Sequence, residues 1–136
     1  MSSAREMLDS IPAAAALGID EAAAAIDACL TCEQSCSSCA NACLAEDDIA
    51  AMAACIALDQ TCADLCATTA RSLSRPVHAD LLLLHPLLEA CVRACSNCAE
   101  ECARHAEHHR HCALCAEACR ACLKACTALL ESAPFA

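Results

Sequence analysis

The run CLTCEQSCSSCANAC, residues 29–43, decides the fold. Its cysteines, Cys29, Cys32, Cys36, Cys39 and Cys43, are separated by alternating steps of three and four residues. Side chains at i, i+3, i+4 and i+7 lie on one face of an α-helix. The run is therefore a row of thiols down one side of a helix, roughly 21 Å long at about 1.5 Å per residue. These are the positions at which a helical bundle ordinarily carries leucine.

The same spacing recurs along the chain. Cys55, Cys62 and Cys66 form a second row, Cys91, Cys95, Cys98 and Cys102 a third, and Cys112, Cys115, Cys119, Cys122 and Cys126 a fourth. All seventeen cysteines of the 136 residues fall in these rows, with internal steps of three, four or seven. No stretch alternates with period two and β-branched residues are scarce, so the chain reads as all-α. Four rows and short connections predict an antiparallel four-helix bundle with a cysteine-lined core.

Punctuation sets the expected boundaries. A short N-terminal helix is expected over Ser3–Ile11, with Ser3 as cap and Pro12 beyond it, and residues 1–18 form a separate helical segment. The bundle domain is expected over 19–136. Asp20, after the single glycine Gly18, is a suitable cap for a helix to about Leu44. Glu46, Asp47 and Asp48 favour the start of a second helix, which Ser74-Arg75-Pro76 ends after about Ser72. Helical material resumes at Asp80–Leu84, with Pro86 either kinking it or sitting in the first turn of a third helix to about His105. A polar turn near Ala106–Arg110 leads to a fourth helix over about His111–Glu131. A single helix through this turn would take two consecutive steps of three and lose the heptad phase.

Charge and composition narrow the function. The formal net charge of −10 argues against a nucleic-acid partner, which requires a basic face. No run approaches the ~18 consecutive apolar residues of a membrane span, so no membrane association is expected. MSSAREMLDS lacks the pattern of a secretory signal, and free thiols suit a reducing compartment, so a cytoplasmic location is expected. A disulfide framework is disfavoured by the odd cysteine count and by poor geometry between cysteines on one helix. The triplet Cys91-x3-Cys95-x2-Cys98 is shared with iron–sulfur proteins, but any cysteine heptad produces it.

Sulfur at these core positions points to soft metal ions, Cu(I) or Zn(II). Charge separates the two. One Cu(I) replacing one thiol proton leaves the core neutral, whereas a zinc tetrathiolate buries a double negative charge. Capacity on the order of ten to twenty Cu(I) ions is expected if the ratio of copper to sulfur approaches one. A metallothionein-like zinc or cadmium buffer is the alternative. Small side chains would leave the interior poorly filled without metal.

Extending the rows gives the bundle a direction. At one end they run into Met52, Asp59, His105 and His109, with His108 and His111 beside them. At the other they run into Ile26, Leu87, Leu88, Leu129 and Leu130. A metal-ligating mouth, made of His105, His109, His111, Asp59 and Met52, is expected to face an apolar floor. His78 and His85 lie at the floor end, as surface or cap residues. Asp59 in a thiol row is costly unless it hydrogen-bonds a histidine or binds an incoming ion.

The Cys29–Cys43 and Cys112–Cys126 series resemble those of the bacterial copper storage proteins, over about Asp20–Leu130. The resemblance implies Cu(I) storage or detoxification rather than catalysis, many cuprous ions as cargo, the cytosolic branch of the family and a homotetramer of bundles. The copper donor or acceptor is not implied. One departure is the second helix, which has three cysteines and Asp59 where a thiol could sit.

Overall fold

The computed structural model describes residues 2–12, 16–132 and 134–135. Among the described residues five α-helices follow in order: α1 Ser3–Asp9, α2 Ile19–Cys43, α3 Ala53–Leu73, α4 Leu81–His105 and α5 Arg110–Leu130, with a 3-10 turn over Ile49–Met52 leading into α3. The predicted all-α bundle is observed. Alanines 13–15, part of the expected N-terminal segment, lie outside the described residues.

The helix ends differ from expectation by a few residues, each for a local reason. Ser2, not Ser3, caps α1, its hydroxyl accepting from the Arg5 amide at 3.1 Å. Gly18, not Asp20, is the cap of α2. Asp20 lies inside the first turn of α2, where a carboxylate favours the helix dipole, and pairs with Arg5 of α1. The acidic turn at 46–48 is followed by the 3-10 turn rather than directly by α3. Asp80 caps α4, accepting from the Leu82 amide at 3.0 Å. Pro86 is therefore past the first turn and inside α4. Its missing N–H leaves the Leu82 carbonyl without a helical donor. Leu82 is 89% exposed, and solvent can serve its carbonyl. Leu84, Leu88 and Cys91 on the opposite side stay buried and hold the helix through the proline.

The four long helices close a ring in which α2 and α4 each pack on both α3 and α5. Sulfur contacts fix the directions. Cys66 of α3 meets Cys91 of α4 at 3.9 Å, while Cys55 meets Cys102 at 3.5 Å. Cys29 of α2 meets Cys126 of α5 at 3.7 Å, and Cys39 meets Cys112 at 3.9 Å. Late residues of one helix face early residues of the next, so the bundle runs up-down-up-down. Helix α1 packs on α2 at the floor end, where Leu8 and Leu17 are buried.

Among the described residues one helical stretch, Ile49–Leu73, is long and apolar enough by composition to cross a membrane. Its apolar character comes largely from alanine and from cysteine. Its buried stripe, Met52, Cys55, Cys62, Cys66 and Leu73, belongs to the bundle core.

Candidate metal centre

Each thiol row is delivered to the bundle axis by the heptad phase of its helix. All seventeen cysteines are free and buried, none more than 1% exposed. Neighbouring Sγ atoms lie 3.5–4.0 Å apart from helix to helix and within the α2, α3 and α4 rows. That is sulfur-on-sulfur contact, so the core is filled more closely than small side chains alone suggested.

The thiols form overlapping groups of four that can each hold a metal ion. Cys29, Cys66, Cys91 and Cys122 form one group, and Cys32, Cys66, Cys95 and Cys122 the next. Above these come Cys32, Cys36, Cys62 and Cys119, then Cys36, Cys98, Cys115 and Cys119. Successive groups share members, so the site is a continuous ladder rather than a set of isolated pockets. A sulfur shared between two groups can bridge two ions. With a metal–thiolate bond of ~2.3 Å, three sulfurs around one ion are ~4.0 Å apart, close to the spacing present. The ladder can therefore take soft ions in trigonal sites with little rearrangement. The shared members distinguish these groups from the separate four-thiolate pocket of an iron–sulfur cluster.

The protons on this ladder are unequally held. Hydrogen bonds from Cys122 and then Cys126 bring the Cys29 thiol down to about 6. Burial pushes the Cys43 thiol, near the mouth, up to about 12 and raises Cys112 beside it. The thiols thus differ in how firmly they hold their protons, and metal binding displaces those that remain.

Asp59 sits fully buried in the α3 row. Its Oδ1 accepts from Cys98 at 3.0 Å, Cys115 at 3.2 Å and Cys102 at 3.5 Å, and its Oδ2 from Cys55 at 3.7 Å. Its hydrogen-bond partners are thiols of three helices, rather than the histidine considered from the sequence. Burial raises its pKa to about 8. The carboxyl group is placed between the ladder and the mouth.

The mouth is a half-buried cluster. His111 Nδ1 lies 3.3 Å from Cys39 Sγ and 3.6 Å from Cys112 Sγ, and these residues with Cys43 form a further group able to hold a metal ion. His111 Nε2 meets the Glu46 carboxylate at 3.0 Å, and His109 Nδ1 pairs with the same carboxylate. His105 Nε2 bonds Glu101 at 2.8 Å. The His109 ring stands 5.7 Å from His111 and 6.3 Å from His105. The structure thus brings His105, His109 and His111 together, with Met52 fully buried at the same end, while His108 is exposed. The sequence reading gives Glu46 a role only at a helix start and gives Glu101 none. The i,i+4 spacing of Glu101 and His105 was the available signal for one of them; Glu46 reaches its histidines only across the bundle.

The floor is apolar as expected. Ile26, Leu88 and Leu129 are buried there, with Leu73 and Leu84 beyond them and Leu87 and Leu130 partly covered. His85 is paired with Glu89 at 3.2 Å on the surface.

Comparison with known proteins places this arrangement. Residues 19–131 match the sequence profile of the copper storage protein family. The chain is 33% identical over 95 residues to the uncharacterized cysteine-rich protein YhjQ of Bacillus subtilis, covering 70% of this chain and 82% of that one. Among solved structures it is similar to the copper storage protein Ccsp of Streptomyces lividans loaded with 10 copper equivalents. The identity there is 42% and the TM-score 0.92, over 95% of this chain and 98% of that chain. A five-copper form of the cytosolic S. lividans protein gives 46% identity and a TM-score of 0.82, over 83% and 94% of the two chains. Cu(I)-bound BsCsp3 gives 32% and 0.69, over 80% and 97%.

Proposed function

The chain belongs to the copper storage protein family, and from that membership we infer that its seventeen thiols are the store. It is a cytosolic Cu(I) storage protein that holds many cuprous ions inside a four-helix bundle. The observation that carries this reading is the ladder of buried thiol groups that share members. Each entering Cu(I) takes the place of one thiol proton, so the core gains no net charge as it fills. Isolated zinc tetrathiolates would bury two negative charges apiece, and burial of uncompensated charge is costly.

In this reading all seventeen cysteines are ligands. His111, beside Cys39, Cys43 and Cys112, completes the first site that an ion meets, and His105 and His109 pass ions to it. Asp59 accepts from the thiols between that site and the ladder, and Met52 offers a thioether at the same end. The protein binds and releases its cargo, giving copper tolerance without catalysis, and it assembles as a homotetramer as the family resemblance implied.

An anaerobic Cu(I) titration of the reduced protein against a competing chelator tests the reading. Tight uptake of about ten or more equivalents is expected from thiolate capacity. Saturation at one or two equivalents would sink it. A parallel zinc titration that reached the same capacity with comparable affinity would favour the metallothionein-like alternative.

A further inference from the structure

One turn beyond the last thiols, the four rows continue into Ile26, Thr69, Leu88 and Leu129, all buried. Three of these are aliphatic and one carries a hydroxyl. Thr69 is fully buried, and its Oγ1 has no hydrogen-bond partner among the described residues. Helical serine and threonine commonly donate to a carbonyl one turn back. Ser74 of this chain does so to Ala70 at 2.7 Å, but Thr69 does not. A buried hydroxyl without a partner is destabilising. Valine has the same shape and would fill this layer without that cost, so the hydroxyl calls for a partner that the metal-free thiols do not supply.

The nearest turn of its own helix carries Cys66. Residues three apart on a helix share a face with Cβ atoms about 5–6 Å apart, which places the Cys66 sulfur beside the hydroxyl's side of α3. Cys66 lies 3.9 Å from Cys91 and 3.8 Å from Cys122, and with Cys29 these form a thiol group at the floor end of the ladder, where Cys126 adjoins Cys29 at 3.7 Å. A neutral thiol is a weak acceptor. When Cu(I) displaces the thiol protons to solvent, the sulfurs become thiolates, which accept hydrogen bonds strongly.

We infer that Thr69 is a positioning residue of the copper site at the floor end, its hydroxyl donating to a thiolate of that group, Cys66 first, once the site is filled. The hydroxyl orients and retains a ligand sulfur from outside the metal's own shell, as such partners do at other metal sites. The inference rests on the Cu(I) storage reading.

The test compares Thr69→Val, Thr69→Ser and the parent chain, each reduced, loaded anaerobically to saturation and then exposed to a Cu(I)-specific chelator. Thr69→Val is expected to accelerate the slowest phase of copper release by about tenfold, the low end of outer-shell effects. Thr69→Ser should restore the parent rate. The metal-free Thr69→Val protein should melt at or above the parent midpoint, because it has lost only an unpaired hydroxyl. Unchanged release in Thr69→Val overturns the inference, and a lowered metal-free midpoint alongside it would place the hydroxyl in a purely structural role. Should the parent chain itself saturate at one or two equivalents, the storage reading fails first and takes this inference with it.

Discussion

The two ends of the bundle continue the same helical stripes with opposite chemistry. At the mouth, stripe positions and their neighbours carry His105, His109, His111, Met52 and the carboxylates that pair with the imidazoles, all but Met52 partly exposed. At the floor, the stripes carry Ile26, Leu88 and Leu129 beside the hydroxyl of Thr69, buried and backed by Leu73, Leu84 and the N-terminal residues Leu8 and Leu17. The difference separates two jobs, apolar packing at one end and metal ligation at the other. Thiols fill the middle, but a neutral thiol buries less apolar surface than leucine. The floor therefore supplies a large share of the hydrophobic stabilisation, while the mouth is free to carry ligands.

The largest expected effect breaks this division at the floor. Leu88→Ala and Leu129→Ala each remove a fully buried side chain and should destabilise the reduced, metal-free protein by ~2–5 kcal/mol. Denaturant unfolding under strong reductant measures this. His105→Ala with His109→Ala, by contrast, should cost less than about 1 kcal/mol in the same experiment, because partly exposed polar contacts contribute little. Equal losses at the two ends would mean that the mouth is as structural as the floor.

A smaller effect sharpens the boundary between mouth and ladder. Asp59 titrates at about 8 in the folded chain because burial disfavours its carboxylate, against an ordinary value of 3.8. Between those values the folded chain holds a proton that the unfolded chain has shed. The contribution of Asp59 to stability is therefore fully present below about pH 4 and is lost as pH rises towards 8. The slope is at most ~1.4 kcal/mol per pH unit. Asp59→Asn removes this titration. Denaturation curves of the two metal-free proteins between pH 5 and 8 should diverge in favour of the asparagine variant as pH rises. Parallel pH dependences would show that Asp59 is ionised throughout this range.

Much of this division was legible in the sequence, because thiol rows, mouth and floor all follow from one helical period. The period places Cys29–Cys43 on one face whatever the rest of the chain does. Helix ends were less legible. Gly18 rather than Asp20 caps α2, since Asp20 is drawn into the first turn by the dipole and by Arg5. Pro86 is tolerated inside α4 because the orphaned carbonyl belongs to an exposed residue while the opposite stripe is buried. The partners of Asp59 depend on the axial register of three helices, which no single stripe encodes. Thr69 was hidden for a related reason. Its stripe position is visible, but the absence of a partner is a tertiary fact.

The smallest expected effect compares histidines with histidines. His105, His109 and His111 surround the entrance beside Cys39 and Cys112, whereas His85 pairs with Glu89 outside the floor. If entry is confined to the mouth, His105→Ala with His109→Ala should slow Cu(I) uptake severalfold in stopped-flow loading and leave the final capacity unchanged. Those residues pass ions inward while the thiols retain them. His85→Ala should alter neither quantity, because Leu88 and Leu129 lie between the floor surface and the lowest thiols. A rate change in His85→Ala comparable to that of the mouth variant would mean that ions enter from both ends. The apolar layer would then be a packing device rather than a seal, and the direction assigned to the store would be lost.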